Sequence, residues 1–173
     1  MSGKPTIGRD ATPDPIRILY LHGYAARPGG FKPQFLESQG FTVDNPGLPD
    51  DDFERSIDIA QAAFDAHRPD VVVGSSRGGA VAMNLNLQGV PLVLIAPAWR
   101  RWGRATRVPQ RTIILHSAAD ELIPLADSRD LATASDLVAT SLVVVGEEHR
   151  MNDERALAAL AEAIRQAAGR APN

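Results

Sequence analysis

The 173-residue chain predicts an α/β fold, with a doubly wound, mainly parallel sheet of about six strands and helices on both faces. Three observations carry that expectation. Short runs of Val, Ile and Leu recur along the chain, each closed by Gly, Pro or a polar residue. Amphipathic stretches of helical period lie between them. No internal repeat and no long linker interrupts the alternation. A chain of this length buries roughly 70% of its unfolded surface, enough for a single core.

The strands are the clearest elements. Residues 16–21 (IRILYL), 71–74 (VVVG), 92–96 (LVLIA), 112–115 (TIIL) and 141–145 (SLVVV) are continuously apolar rather than alternating. Such runs suit strands covered on both faces of a parallel sheet. Thr42–Asp44 reads as a weaker sixth. Among the helices, Phe53, Ile57, Ala60 and Phe64 form one stripe. Asp50, Asp51 and Asp52 precede it, where carboxylates cap free N–H groups and oppose the positive end of the dipole. Residues 79–87 are apolar nearly all round, which implies a helix buried against the sheet. Leu157, Leu160, Ala161, Ile164 and Ala168 make a last stripe, capped by Asn152 or Asp153. One domain over residues 16–168 is expected, between a disordered tail at 1–15 and a short tail at 169–173.

Composition narrows the function classes. The chain has no cysteine, which excludes disulfides, Cys-ligated zinc, iron–sulfur clusters and a thiol nucleophile. Eighteen Lys and Arg against 21 Asp and Glu give a net charge of −3, so nothing in the overall balance favours nucleic acid. The uncharged stretch 83–99 contains two Asn, a Gln, a Gly and two Pro, and makes a poor membrane span. No signal-peptide pattern is visible, so a cytoplasmic protein without a membrane partner is expected.

In a doubly wound sheet, ligands bind at the carboxyl ends of the strands, so the residues just after each apolar run matter most. After 71–73 comes Gly74-Ser75-Ser76-Arg77-Gly78-Gly79, a Gly-x-Ser-x-Gly turn between a strand and a helix. The turn is so tight that the residues two either side of Ser76 must be small, and it lifts the hydroxyl clear of the sheet. The segment lacks the Gly-Lys-Ser/Thr ending of a phosphate loop and the Gly-x-Gly-x-x-Gly of a dinucleotide loop. A serine hydroxyl needs a base, and the base an orienting carboxylate, in the chain order Ser, acid, His. Asp120 and Glu121 follow 112–115, and His149 follows 141–145. Asp120 is the preferred acid and His149 the base. His116 precedes the acid and fails the order. His22 reads as structural at the entrance of the first loop, and His67 as a surface or helix-end residue. The backbone N–H of Arg77, at the start of the buried helix, is one expected oxyanion donor. Tyr24 supplies the second, with Ala25 as the alternative.

The set Leu21-His22-Gly23-Tyr24, Gly74-Ser75-Ser76-Arg77-Gly78-Gly79, Asp120 and Glu148-His149 resembles the α/β-hydrolase superfamily, over about residues 16–168. It is most similar to the small, lidless, single-domain serine esterases. The resemblance implies a minimal fold without the first two antiparallel strands and without a cap domain. It also implies a cofactor-independent serine hydrolase acting on small carboxylic esters or thioesters through an acyl-enzyme, with no metal. Ser76 would be nucleophile, His149 base and Asp120 acid. The alternative is a catalytically idle hydrolase fold that binds another protein. The loop after 92–96 holds Trp99, Arg100, Arg101 and Trp102, the only tryptophans of the chain, with Arg104 and Arg107 nearby. Two roles stay open for it. Its arginines pair with surface carboxylates such as Asp50–Asp52, or the loop recognises an anionic acyl or leaving group.

Overall fold

A computed structural model describes residues 13–169, and every apolar run noted above becomes a strand. The strands are β1 (Arg17–Leu21), β2 (Thr42–Asp44), β3 (Val71–Ser75), β4 (Leu92–Ile95), β5 (Thr112–His116) and β6 (Leu142–Val144). They form one sheet in the order β2-β1-β3-β4-β5-β6, and all five pairings are parallel. The predicted tails at 1–15 and 169–173 fall largely outside the described residues.

Among the described residues five α-helices cover the sheet: α1 (Phe31–Ser38), α2 (Phe53–His67), α3 (Arg77–Met83), α4 (Leu125–Ala134) and α5 (Glu154–Ala167). Alternate strand residues feed two cores, which is the physical content of double winding. Ile18, Tyr20, Val71, Val73, Val93, Ile95, Ile113 and Leu115 pack with α1 and α5 on one face. Leu19, Leu21, Val72, Leu92, Leu94 and Ile114 pack with α2, α3 and α4 on the other. Among the described residues no additional domain caps the sheet, as expected for the minimal fold. Among the described residues no helix is long and apolar enough to cross a membrane.

The helix expected at 79–87 starts earlier and ends earlier, at Arg77–Met83. It starts directly after Ser76 because the turn at that residue already points the chain into the helix. It ends at Asn84, whose side chain bonds back to the Ala80 carbonyl at 2.8 Å. Of the three aspartates before α2, Asp52 is the cap and accepts from the Arg55 N–H at 2.8 Å. At α5 the cap is Asp153 rather than Asn152. Helices α1 and α4 had no counterpart in the sequence reading. Pro33 sits in the first turn of α1, where no intrahelical N–H is required, yet it masks the helical pattern.

The chain leaves β1 toward β2 on one side and continues through β3 on the other, so the sheet has its switch point at β1/β3. That is where a crevice opens at the strand ends.

Candidate active site

Ser76 follows β3 with φ +53° and ψ −116°, a conformation that L-residues adopt only under constraint. The constraint comes from both sides. The Ser76 N–H donates to the Ile95 carbonyl at 2.8 Å, and the Ser76 carbonyl accepts from Gly79 and Ala98 at 3.0 Å each. A Cβ on Gly74 would lie 2.6 Å from the Gly78 carbonyl oxygen, and one on Gly78 would overlap the carbonyls of Leu21 and His22. The glycines around Ser76 are therefore required by close backbone approach, not merely tolerated.

Two loops bring the other groups to that turn. Asp120 leaves the end of β5, and Ser117 in the same loop donates to the Gly146 carbonyl at 2.8 Å, tying it to the loop after β6. That second loop carries His149. It is fixed to α5 through Asp153, which accepts from the Glu147 N–H at 3.1 Å while capping the helix. Those bonds, the one from the Ala156 N–H foremost, hold the Asp153 carboxyl below the usual carboxylate range.

The outcome is a linear chain of contacts. Ser76 Oγ lies 3.1 Å from His149 Nε2, and His149 Nδ1 lies 2.7 Å from Asp120 Oδ2. A carboxylate only accepts, so Nδ1 carries the hydrogen and leaves Nε2 to accept from the serine hydroxyl. The other oxygen of Asp120 accepts from the N–H groups of Leu122 and Ile123, both at 2.8 Å. Burial alone would raise the Asp120 carboxyl, but the bonds from Ile123, His149 and Leu122 outweigh it and keep the group below the usual carboxylate range. Glu121, its neighbour, is exposed.

Of the two N–H groups considered beside Arg77, the Ala25 N–H donates to Asp50 at 2.9 Å. The N–H groups of Tyr24 and Arg77 make no hydrogen bond among the described residues. His22 is buried, its Nδ1 donating to the Gly23 carbonyl and its Nε2 accepting from the Leu48 N–H, so it shapes the loop. His67 ends α2, exposed, beside Asp44.

The loop after β4 divides. Arg101 and Trp102 line a cleft of about 800 Å³ that also contains Ser76 and His149. Trp99 and Arg100 stay outside it. Asp127 and Asp130 of α4 hold Arg100 at 3.0 and 2.5 Å, and the Trp99 indole donates to the Asp127 carbonyl at 3.0 Å. Arg100 thus pairs with α4, Arg104 with Glu54 at 3.9 Å and Arg107 with Asp136 at 2.6 Å, so these arginines meet surface carboxylates other than Asp50–Asp52.

Sequence reasoning missed two neighbours of the site. Lys32, in the first turn of α1, is only 8% exposed and donates to the Arg150 carbonyl and to Asn152 Oδ1, so it holds the His149 loop. Burial brings its ammonium down to about 8, with Glu148 and Asp153 opposing that fall and Arg150 adding to it. His116 is fully buried and its Nε2 lies 3.2 Å from Asp120 Oδ2. As a base it fails the chain order. Its place one strand-end before the acid could have marked it as a support.

Residues 18–172 match the family described as alpha/beta hydrolase family, which is nearly the whole chain. The chain belongs to the α/β hydrolase family. Solved structures agree on the fold. A protein of the α/β superfamily from Xanthomonas campestris pv. campestris is 23% identical, with 91% of this chain and 99% of that one covered at a TM-score of 0.69. An α/β serine hydrolase without a lid from Xanthomonas campestris is 17% identical, with 95% and 84% covered at 0.64. A monoacylglycerol lipase from Paleococcus ferrophilus is 14% identical, with 91% and 96% covered at 0.66. No curated protein matches the chain in sequence. This α/β hydrolase thus shares its fold with structures that have diverged far in sequence.

Proposed function

We propose that the protein is a serine hydrolase cleaving small carboxylic esters or thioesters through an acyl-enzyme. The observation that supports this most is the contact chain Ser76 Oγ–His149 Nε2–Asp120, at 3.1 and 2.7 Å, at the mouth of a substrate-sized cleft. Ser76 Oγ attacks the carbonyl carbon while its proton passes to His149 Nε2. Asp120 holds the imidazole in the accepting tautomer and offsets the positive charge it gains. The carbonyl oxygen becomes an oxyanion that the N–H groups of Tyr24 and Arg77 receive. The bond to the leaving oxygen or sulfur then breaks, and His149 returns the proton to it. Water repeats the sequence on the acyl group, giving the acid and free Ser76. A catalytically idle fold has no cause to keep a strained serine within reach of an oriented histidine.

A panel of p-nitrophenyl esters from acetate to palmitate, run beside acyl thioesters, tests the reading. Turnover of short-chain members that is lost in Ser76→Ala supports it. Inactivity toward every ester and thioester would turn the reading toward the idle fold.

A further inference from the structure

We propose that the natural substrate carries an anionic group, a carboxylate or phosphate, which the cleft around Ser76 recognises by its positive charge. The inference rests on the hydrolase reading above and names the substrate class for that site. The cleft is lined by Arg27, Lys32, Arg77, Arg101 and Arg150 and, among the described residues, by no Asp or Glu. In a chain of net charge −3, five of 18 basic residues thus face one cavity.

Outside the cleft some arginines have carboxylate partners, while others such as Arg55, Arg68 and Arg129 have none within salt-bridge distance among the described residues. Arg17 pairs with Asp70, Arg100 with Asp127 and Asp130, and Arg107 with Asp136. In the cleft only Arg27 has one, Asp50 at 3.6 Å. Among the described residues, none of the other four has a carboxylate within salt-bridge distance. Lys32 rests on the Arg150 carbonyl and Asn152, Arg77 on the Pro49 carbonyl and Ser56, and Arg101 on the Leu122 carbonyl. Their direct partners are neutral oxygens, with the nearest carboxylates, Glu148 and Asp153 for Lys32 and Asp50–Asp52 for Arg77, acting from beyond salt-bridge distance.

Arg77 carries a second, independent sign. It is 1% exposed, and its Nε and Nη1 are buried without a hydrogen-bond partner among the described residues. Its guanidinium lies against the rings of Phe53 and Trp102, 5.4 and 5.0 Å from their centroids. Orphaned buried donors cost free energy and are rare without a purpose. Burial brings its guanidinium below the usual arginine range, and Asp50, Asp51 and Asp52 oppose that fall. A guanidinium stays protonated, so a cation is fixed in the wall where little water screens it. Arg101 and Arg150, both exposed at the rim, can reach the ligand directly. The planar two-donor fork of arginine matches a carboxylate or phosphate, and Trp102 supplies an apolar wall beside it.

The anion could sit on the acyl side or on the leaving group, and two substrate pairs separate these. Mono-p-nitrophenyl glutarate is compared with p-nitrophenyl pentanoate, and 4-acetoxybenzoate with 4-acetoxybenzamide. In at least one pair the anionic ester should have the higher kcat/KM by roughly tenfold or more at low salt, and that ratio should shrink as salt is raised. Arg101→Gln or Arg150→Gln should cut the ratio by roughly tenfold. Arg100→Gln removes the same charge one residue away and should leave the ratio intact. Ratios at or below one in both pairs, with turnover still dependent on Ser76, overturn the inference and leave the hydrolase reading standing. Labelling of Ser76 by a fluorophosphonate without turnover of either anionic ester also overturns it. Neither labelling nor turnover overturns both.

Discussion

His116 Nε2 lies 3.2 Å from Asp120 Oδ2, so the carboxylate oxygen that receives His149 is also received by a second, wholly buried histidine. Nε2 of His116 faces two acceptors, Asp120 and the Ile123 carbonyl at 2.9 Å, so it carries the hydrogen, and Nδ1 accepts from the Ser128 hydroxyl at 2.7 Å. His116 is in this way a positioning residue that shares the charge of Asp120. His116→Phe keeps much of the volume but removes the donor, and leaves Ile123 and Ser128 unsatisfied at a cost of about 1–3 kcal/mol. The Asp120 charge, less shared, then favours the charged form of His149, so the acid limb of the kcat/KM profile should move to higher pH. A loss of stability with an unmoved acid limb would reduce His116 to packing.

The choice between two adjacent carboxylates is open to direct test. Asp120 faces His149 with no side-chain exposure, while Glu121 is exposed. Asp120→Asn should lower kcat on the order of 10⁴-fold, because an amide presents the wrong partner to Nδ1. Glu121→Gln should change kcat little. Steady-state rates on one ester decide the matter, and the reverse ranking would move the role to Glu121.

Lys32 gives the fold a pH dependence of defined sign. Its group lies near 8 in the fold against 10.5 in the open chain, so between those values the unfolded chain holds a proton that the folded chain has released. Stability contributed by this position therefore rises with pH across that window. The neutral amine keeps two hydrogens for Arg150 and Asn152, so the His149 loop stays held. Urea unfolding of wild type and Lys32→Met at pH 7 and pH 10 should show the wild type gaining on the variant at the higher pH. A gap that stays constant or narrows would contradict this.

Much of the architecture was legible because the strands advertise themselves. Val71, Val72 and Val73 are apolar in succession since both faces of β3 are covered, and the same holds for Leu92–Ile95. Helix α4 was illegible because its buried positions are Ser128 and Leu131, and a serine leaves no apolar mark. The positions of Ser76, Asp120 and His149 could be read because each ends a strand run and the three follow a fixed order. The charged walls could not. Arg100 and Arg101 are neighbours in sequence, and only the placement of α4, with Asp127 and Asp130, separates the one that is neutralised from the one that faces the cleft. Lys32 stands 117 residues from His149, and nothing in the local pattern links them.

The role of Ser76 as nucleophile is open to one decisive measurement. The protein is treated with a fluorophosphonate, which adds covalently to an activated serine, and the adduct is located by peptide mass spectrometry. Modification of Ser76 alone is expected, absent in Ser76→Ala, whose kcat on esters should fall about 10⁴- to 10⁶-fold with the fold intact. An adduct on Ser75, or ester turnover retained by the Ser76→Ala variant, would contradict it.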